Sequence, residues 1–226
     1  MELLLQTKED EEIWTEGNYT ITIDFSRNEI SEIIMVSREI TERKELENKL
    51  RFMAYHDSLT QLPNRRLLNK EFLPILEKAN ANFNSVALFY IDGDNFKQVN
   101  DDFGHDLGDE FLTEFGQSLV RSVKSDDLVV RLGGDEFLIV VTELSRNENI
   151  RMMQVENYIK NIRGTLNVGF EIRKNHFSPT SSIGISWYPE HGDSLDALID
   201  LADRALYKAK QARKNNYEIC EVISSV

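Results

Sequence analysis

Arg131-Leu132-Gly133-Gly134-Asp135-Glu136-Phe137-Leu138-Ile139-Val140-Val141 sets two glycines and two acids ahead of a continuous apolar run, with a second such run, Leu128-Val129-Val130, just before it. Glycine reaches the positive φ values that tight turns demand, so the pair reads as the turn of a β-hairpin. Upstream, Val86-Ala87-Leu88-Phe89-Tyr90-Ile91 is apolar throughout, the pattern of a strand buried on both faces, and it ends on Asp92-Gly93-Asp94. If strand 86–91 pairs antiparallel with strand 136–141, Asp92 meets Asp135 and Glu136 at one edge of the sheet. Three gathered carboxylates repel one another unless a divalent cation holds them, and an all-oxygen ligand set suits Mg²⁺ or Mn²⁺. Asp-Gly-Asp alone is more often a turn, and Gly-Gly-Asp-Glu alone an ordinary hairpin. Their joint position at the ends of apolar strands is what points to a metal site. A calcium loop of the EF-hand type fits poorly, because Asp92-Gly93-Asp94-Asn95 lacks the later Gly and Glu.

Around this centre the pattern alternates. Helices are expected over about 65–80, capped by Asn64 and kinked at Pro74, and over about 106–123, 147–164 and 194–213. Further strands are expected near 167–173, 180–187 and 217–222. Such a tally indicates an α+β sandwich, a sheet with helices packed on it. The first 40 residues read as β, with strands at 19–25 and 33–36 about the polar turn Ser26-Arg27-Asn28-Glu29. Two strands cannot bury a core alone and need more domain, a partner chain or another face. From Thr41, a capping residue, the chain turns helical, and Leu46, Leu50 and Met53 trace either a short coiled-coil seam or a plain amphipathic linker. The expected division is 1–40, a helical linker over 41–55, and a main domain over 56–226.

Composition narrows the function. The 226 residues carry a formal net charge of −13, with 13 acidic and 6 basic side chains in residues 1–50 alone. This leaves no broad basic surface for a nucleic acid polymer. An anionic ligand would need local lysines or bound metal. No apolar run approaches the roughly 18 residues that span a bilayer, so no membrane contact is expected within the chain. With Cys220 the only cysteine, a disulfide within the chain is excluded and a cytoplasmic location is expected, a membrane anchor upstream being compatible with it. Cys220 itself reads as a small core residue.

The same residues resemble the GGDEF family of diguanylate cyclases. The resemblance runs from Asp57-Ser58-Leu59-Thr60-Gln61-Leu62-Pro63-Asn64-Arg65, with Gln61 where glycine is usual, through the Asp92–Asp101 and Gly104–Asp109 segments to the Gly-Gly-Asp-Glu-Phe motif. It continues in Ser182-Ile183-Gly184-Ile185-Ser186 and in Ala202–Lys210, covering about 55–226. It implies a fold like the palm of adenylyl cyclases, a central, mostly antiparallel sheet wrapped by helices. It implies condensation of two GTP into cyclic di-GMP by two facing copies of the domain, with two Mg²⁺ or Mn²⁺ ions per site. Asp92, the Gly93 carbonyl, Asp135 and Glu136 would hold metal, and Asp135, aided by Glu136, would act on the 3′-hydroxyl. Asn100 and Asp109 would read guanine and His105 would contact the nucleotide. Lys97, Gly133, Gly134, Lys210 and Lys214 would line the substrate, the last two at i, i+4 on one helical face. An inhibitory product site would fall at Lys124 and Asp127, where lysine replaces an arginine and lacks its planar two-pronged grip, so weak product inhibition is expected. Residues 14–19 and 37–44 resemble the closing strand and exit of a PAS sensor domain. A silent GTP- or cyclic di-GMP-binding domain, a dimerising scaffold, and a cyclase of another nucleotide are the rival readings. Asp109 speaks for guanine, because its carboxylate accepts from N1–H and N2–H₂, where adenine offers an acceptor.

Overall fold

The computed structural model describes residues 1–24, 26, 29–212 and 214–221. The chain forms two compact units, Met1–Ala54 and Tyr55–Val226. In the first, β1 (Glu2–Gln6), β2 (Glu12–Asp24) and β3 (Glu29–Glu39) form an antiparallel sheet in that order. The first strand was not expected, and the other two run longer than their apolar cores. Phe25, Arg27 and Asn28 of the expected turn region lie outside the described residues. Helix α1 (Thr41–Tyr55) follows. Thr41 does not cap it: the helix starts at Thr41 itself, whose hydroxyl accepts from the Trp14 backbone N–H at 3.0 Å.

The second unit opens with α2 (Arg65–Ala81), capped as expected by Asn64, whose side chain accepts from the Arg66 and Leu67 N–H groups. The helix runs on through Pro74 as one element; Leu68, Phe72, Leu76 and Ala79, spaced four, four and three apart, anchor its buried face. Strand β4 (Asn84–Gly93) comes next and is buried from Ser85 onward. Then a helix absent from the sequence reading appears, α3 (Phe96–Phe103), joined through Gly104 alone to α4 (His105–Ser122). Strands β5 (Leu128–Gly133) and β6 (Glu136–Ser145) form the hairpin. Helix α5 (Glu148–Val168) takes over the residues where a strand was expected from 167, leaving a small hairpin of β7 (Phe170–Ile172) and β8 (Asn175–Phe177). Strand β9 (Ser181–Tyr188), helix α6 (Leu195–Ala212) and β10 (Tyr217–Ile219) close the chain; the last strand is shorter than expected, stopping before Cys220 and Glu221, and residue 222 lies outside the described residues.

The five-stranded sheet has the order β10-β9-β4-β6-β5, antiparallel except for the β10–β9 pair. Side chains alternate between its faces. Phe89, Ile91, Phe137, Ile139 and Ile183 join Phe111, Phe115, Ile159 and Ile162 of α4 and α5 on one side. Leu88, Tyr90, Leu138 and Val140 join Leu68, Phe72, Leu198, Ala202 and Leu206 of α2 and α6 on the other. The second layer lies close because of Gly184, where a Cβ would stand 2.0 Å from the Ala202 carbonyl. The result is an α+β sandwich: a central, mostly antiparallel sheet with helices on both faces. Cys220 sits half-buried just past β10, its sulfur 2.8 Å from His191 Nδ1, and burial pushes the thiol up to about 12.

Candidate active site

The β4–β6 register sets Asp92 directly opposite Glu136, with Ser182 of β9 on its other side. The Gly93 N–H donates to the Asp135 carbonyl at 3.3 Å, closing the pair of strand ends on each other. By alternation Asp92 and Glu136 share the α2/α6 face with Tyr90. From that face Lys210 of α6 reaches Asp92 Oδ2 at 2.6 Å.

Electrostatics mark this end of the sheet. Burial pushes the Asp92 carboxyl above its usual range; the Lys210 ammonium opposes the shift, and the charges of Asp135 and Asp94 reinforce it. Burial and the Asp92 charge likewise raise Glu136, while the Tyr90 hydroxyl partly offsets this. Carboxyl groups that resist ionisation together are groups a dication would stabilise, and their oxygens are the hard donors Mg²⁺ and Mn²⁺ take. Among the described residues no three acidic, His or Cys side chains are already arranged as a metal cage. Lys210 supplies the compensating cation for Asp92.

The hairpin tip is held from behind. Gly133 and Gly134 have φ of 147° and 54°, and nothing lies within 4 Å of a Cβ built on either, so a ligand can approach their backbone closely. The buried Arg131 donates from Nε and Nη2 to the Gly134 carbonyl and from Nη1 to Asp57 Oδ1 at 2.7 Å. Burial alone would raise Asp57, but the Thr60 N–H, the Arg131 guanidinium and the Thr60 hydroxyl together hold it below the usual carboxylate range. The conformation of the tip thus depends on the turn that opens the domain.

A second group forms beside it. Asp94 is buried and fully engaged, accepting from Thr180 Oγ1, Ser182 Oγ and the Asn215 N–H, each at 2.8 Å. This ties the strand end to the segment after α6 and fixes the start of α3, which carries Lys97 and Asn100. Lys97 is exposed, Asn100 is half-buried, and His105 and Asp109 are exposed on α4. Gly108 lies in the first turn of this helix, facing Asn100.

One expectation needs correction. Lys214 does not share a helical face with Lys210. Helix α6 ends at Ala212, Asn215 takes a φ of 60° as its N–H turns to Asp94, and Lys214 is drawn to Asn95 Oδ1 at 2.7 Å. Lys210 in turn faces a carboxylate. At Lys124 and Asp127, the Asp127 carboxylate serves the fold: it accepts from the Lys124 N–H, the Thr142 N–H and the Tyr158 hydroxyl. Beside it runs a groove of about 780 Å³ lined by Arg121, Lys124, Tyr158 and Lys160. The sequence reading missed Tyr90, Asp94 and the Asp57–Arg131 pair as parts of this architecture. Tyr90 was legible from its position two residues before Asp92 on one strand face.

Similarity to known proteins agrees with this geometry. The family described as "Diguanylate cyclase, GGDEF domain" matches residues 54–216. Diguanylate cyclase DosC of Escherichia coli K12 is 36% identical over 194 residues, covering 85% of this chain and 40% of DosC. Cyclic di-GMP phosphodiesterase PdeR of the same organism is 31% identical over 219 residues, covering 96% of this chain and 32% of PdeR. The chain thus spans well under half the length of these curated relatives. The crystal structure of the GGDEF domain of TpbB from Pseudomonas aeruginosa superposes with a TM-score of 0.66 at 32% identity, covering 72% of this chain and 98% of that one. With the signature hairpin, the opposed acids and the sheet order all in place, the chain belongs to the GGDEF family of diguanylate cyclase domains.

Proposed function

We propose that this chain is the catalytic portion of a diguanylate cyclase, condensing two GTP into cyclic di-GMP with release of two pyrophosphates. The observation that carries the reading is the convergence of Asp92, Asp135 and Glu136 at one sheet end, where burial and neighbouring charge make the Asp92 and Glu136 carboxyls resist ionisation. Asp92, Asp135, Glu136 and the Gly93 carbonyl would hold two Mg²⁺ or Mn²⁺ ions. When bound, such ions polarise the α-phosphate and offset the charge of departing pyrophosphate. Asp135 takes the proton of the attacking 3′-hydroxyl; the O3′–Pα bond forms as the bond from Pα to the pyrophosphate oxygen breaks. Asn100 and Asp109 orient guanine, with His105 and Lys97 nearby on the same two helices. Gly133 and Gly134 admit the phosphates to the backbone. Lys210, now on the Asp92 carboxylate, would hold a phosphate of the bound nucleotide, and Lys214 would do so beside Asn95. Positioning and fixed charge supply most of the acceleration.

Each domain brings one GTP, so the reaction takes two copies facing antiparallel. Exposed Leu46, Leu50 and Met53 on α1 support a pairing helix. Residues 1–40 are the closing part of a PAS-like sensor that governs this pairing, and the enzyme acts in the cytoplasm. Product inhibition at Lys124 and Asp127 is weak, because Asp127 is already bonded and lysine lacks arginine's fork. The test is purified protein with GTP or ATP and Mg²⁺, products read by mass. Cyclic di-GMP from GTP alone, lost in Asp135→Ala, supports the proposal. Turnover unaffected by that substitution removes Asp135 from its role, and GTP binding without product would leave a binding module.

A further inference from the structure

We infer that Gly108 is a specificity-determining residue of the nucleotide site: the space left by its missing side chain seats the Asn100 carboxamide, and so fixes where the base is read. The inference rests on the reading of Asn100 as a guanine contact. A Cβ built on Gly108 would stand 1.9 Å from Asn100 Oδ1 and 3.0 Å from its Cγ. No rotation of an alanine methyl relieves such an overlap, so the carboxamide itself must leave. The same Cβ would lie 3.5 Å from Phe96 Cζ, and the Phe96 ring packs on Phe111 of the core at 5.8 Å between centroids. The notch therefore has one rigid wall and one movable occupant.

Among the described residues the Asn100 carboxamide has no hydrogen-bond partner in the protein. Its place is set by packing against the first turn of α4. That turn is fixed in turn, since the Gly104 N–H donates to the Asn100 carbonyl at 2.9 Å and the Gly108 N–H to the Gly104 carbonyl at 3.1 Å. Asp109 is the next residue along the same turn, so one short stretch of backbone positions both proposed base contacts. A glycine inside a helix disfavours the helix relative to alanine, and here that disadvantage has a steric reason.

The test compares the full chain with Gly108→Ala, Asn100→Ala and the double variant. The readouts are melting temperature and equilibrium binding of the α,β-methylene analogues of GTP and ATP with Mg²⁺, which need no turnover. Gly108→Ala is expected to weaken the guanosine analogue about tenfold or more while leaving the adenosine analogue unchanged. Asn100→Ala does the same, and the double variant loses no more than either single one. Any fall in melting temperature in Gly108→Ala is restored in the double variant, where the clash is gone. Retained guanine preference in Gly108→Ala, fully additive losses, or a melting defect that persists without the Asn100 side chain would each overturn the inference. Unchanged preference in Asn100→Ala would instead remove Asn100 as a base contact, a separate failure of the reading beneath.

Discussion

Asp57 and Arg131 show how one residue far along the chain sets the tip of a hairpin. Their contact is largely shielded, with side chains 22% and 9% exposed, so Asp57→Asn should cost about 2 kcal/mol and lower the melting temperature by roughly 4–8 °C. Because the folded carboxyl lies below its ordinary value of 3.8, the pair's contribution is present above that pH and is lost as pH falls through the folded value. Melting curves of wild type and variant should therefore converge in acid, and a gap that persists there would contradict the pairing. Glu136 behaves oppositely, since its carboxyl is raised by burial and by Asp92. Glu136→Gln should raise the melting temperature at neutral pH by about 2 °C while lowering turnover, a separation of stability from activity expected where like charges are gathered for use. A variant both less stable and fully active would refute it. At this scale the sequence was informative about identity and silent about partners. Asp92, Asp135 and Glu136 were legible from strand ends. That Lys210 meets Asp92 and Lys214 meets Asn95 depends on where α6 stops, which no local pattern fixes.

The elements that carry the site are short, and their ends matter more than their middles. Asn64 caps α2 through two backbone N–H groups, so Asn64→Ala should cost about 1 kcal/mol, measurable by denaturant unfolding. Gly134 sits at φ 54° with open space around it, so Gly134→Ala should cost about 1 kcal/mol from backbone conformation alone. A loss of several kcal/mol there would mean a contact the structure does not contain. The hairpin, the buried central strand and the long helices were legible because periodicity and turn chemistry agreed. Helix α3 was not: Phe96, Val99 and Phe103 do fall at helical spacing, but the helix is only eight residues long, none is fully buried, and it begins from Asn95 at φ 63° rather than from a side-chain cap. The extension of α5 through Val168 likewise hid behind the alternation of Leu166, Val168, Phe170 and Ile172, a period-2 pattern that reads as strand.

For the molecule as a whole, the two units differ in what they can do alone. Tyr55–Val226 closes two apolar layers around its sheet, whereas in Met1–Ala54 residues such as Ile21, Ile33 and Val36 remain exposed. Expressed separately, the larger unit should unfold in one cooperative transition and the smaller should show none. The central claim, however, concerns the acids at the sheet end. Its most direct measurement is Mn²⁺ binding followed by electron paramagnetic resonance in the presence of the α,β-methylene GTP analogue. Two ions per chain are expected, with binding lost in both Asp92→Asn and Asp135→Asn. Mn²⁺ bound equally by wild type and both variants would contradict the account.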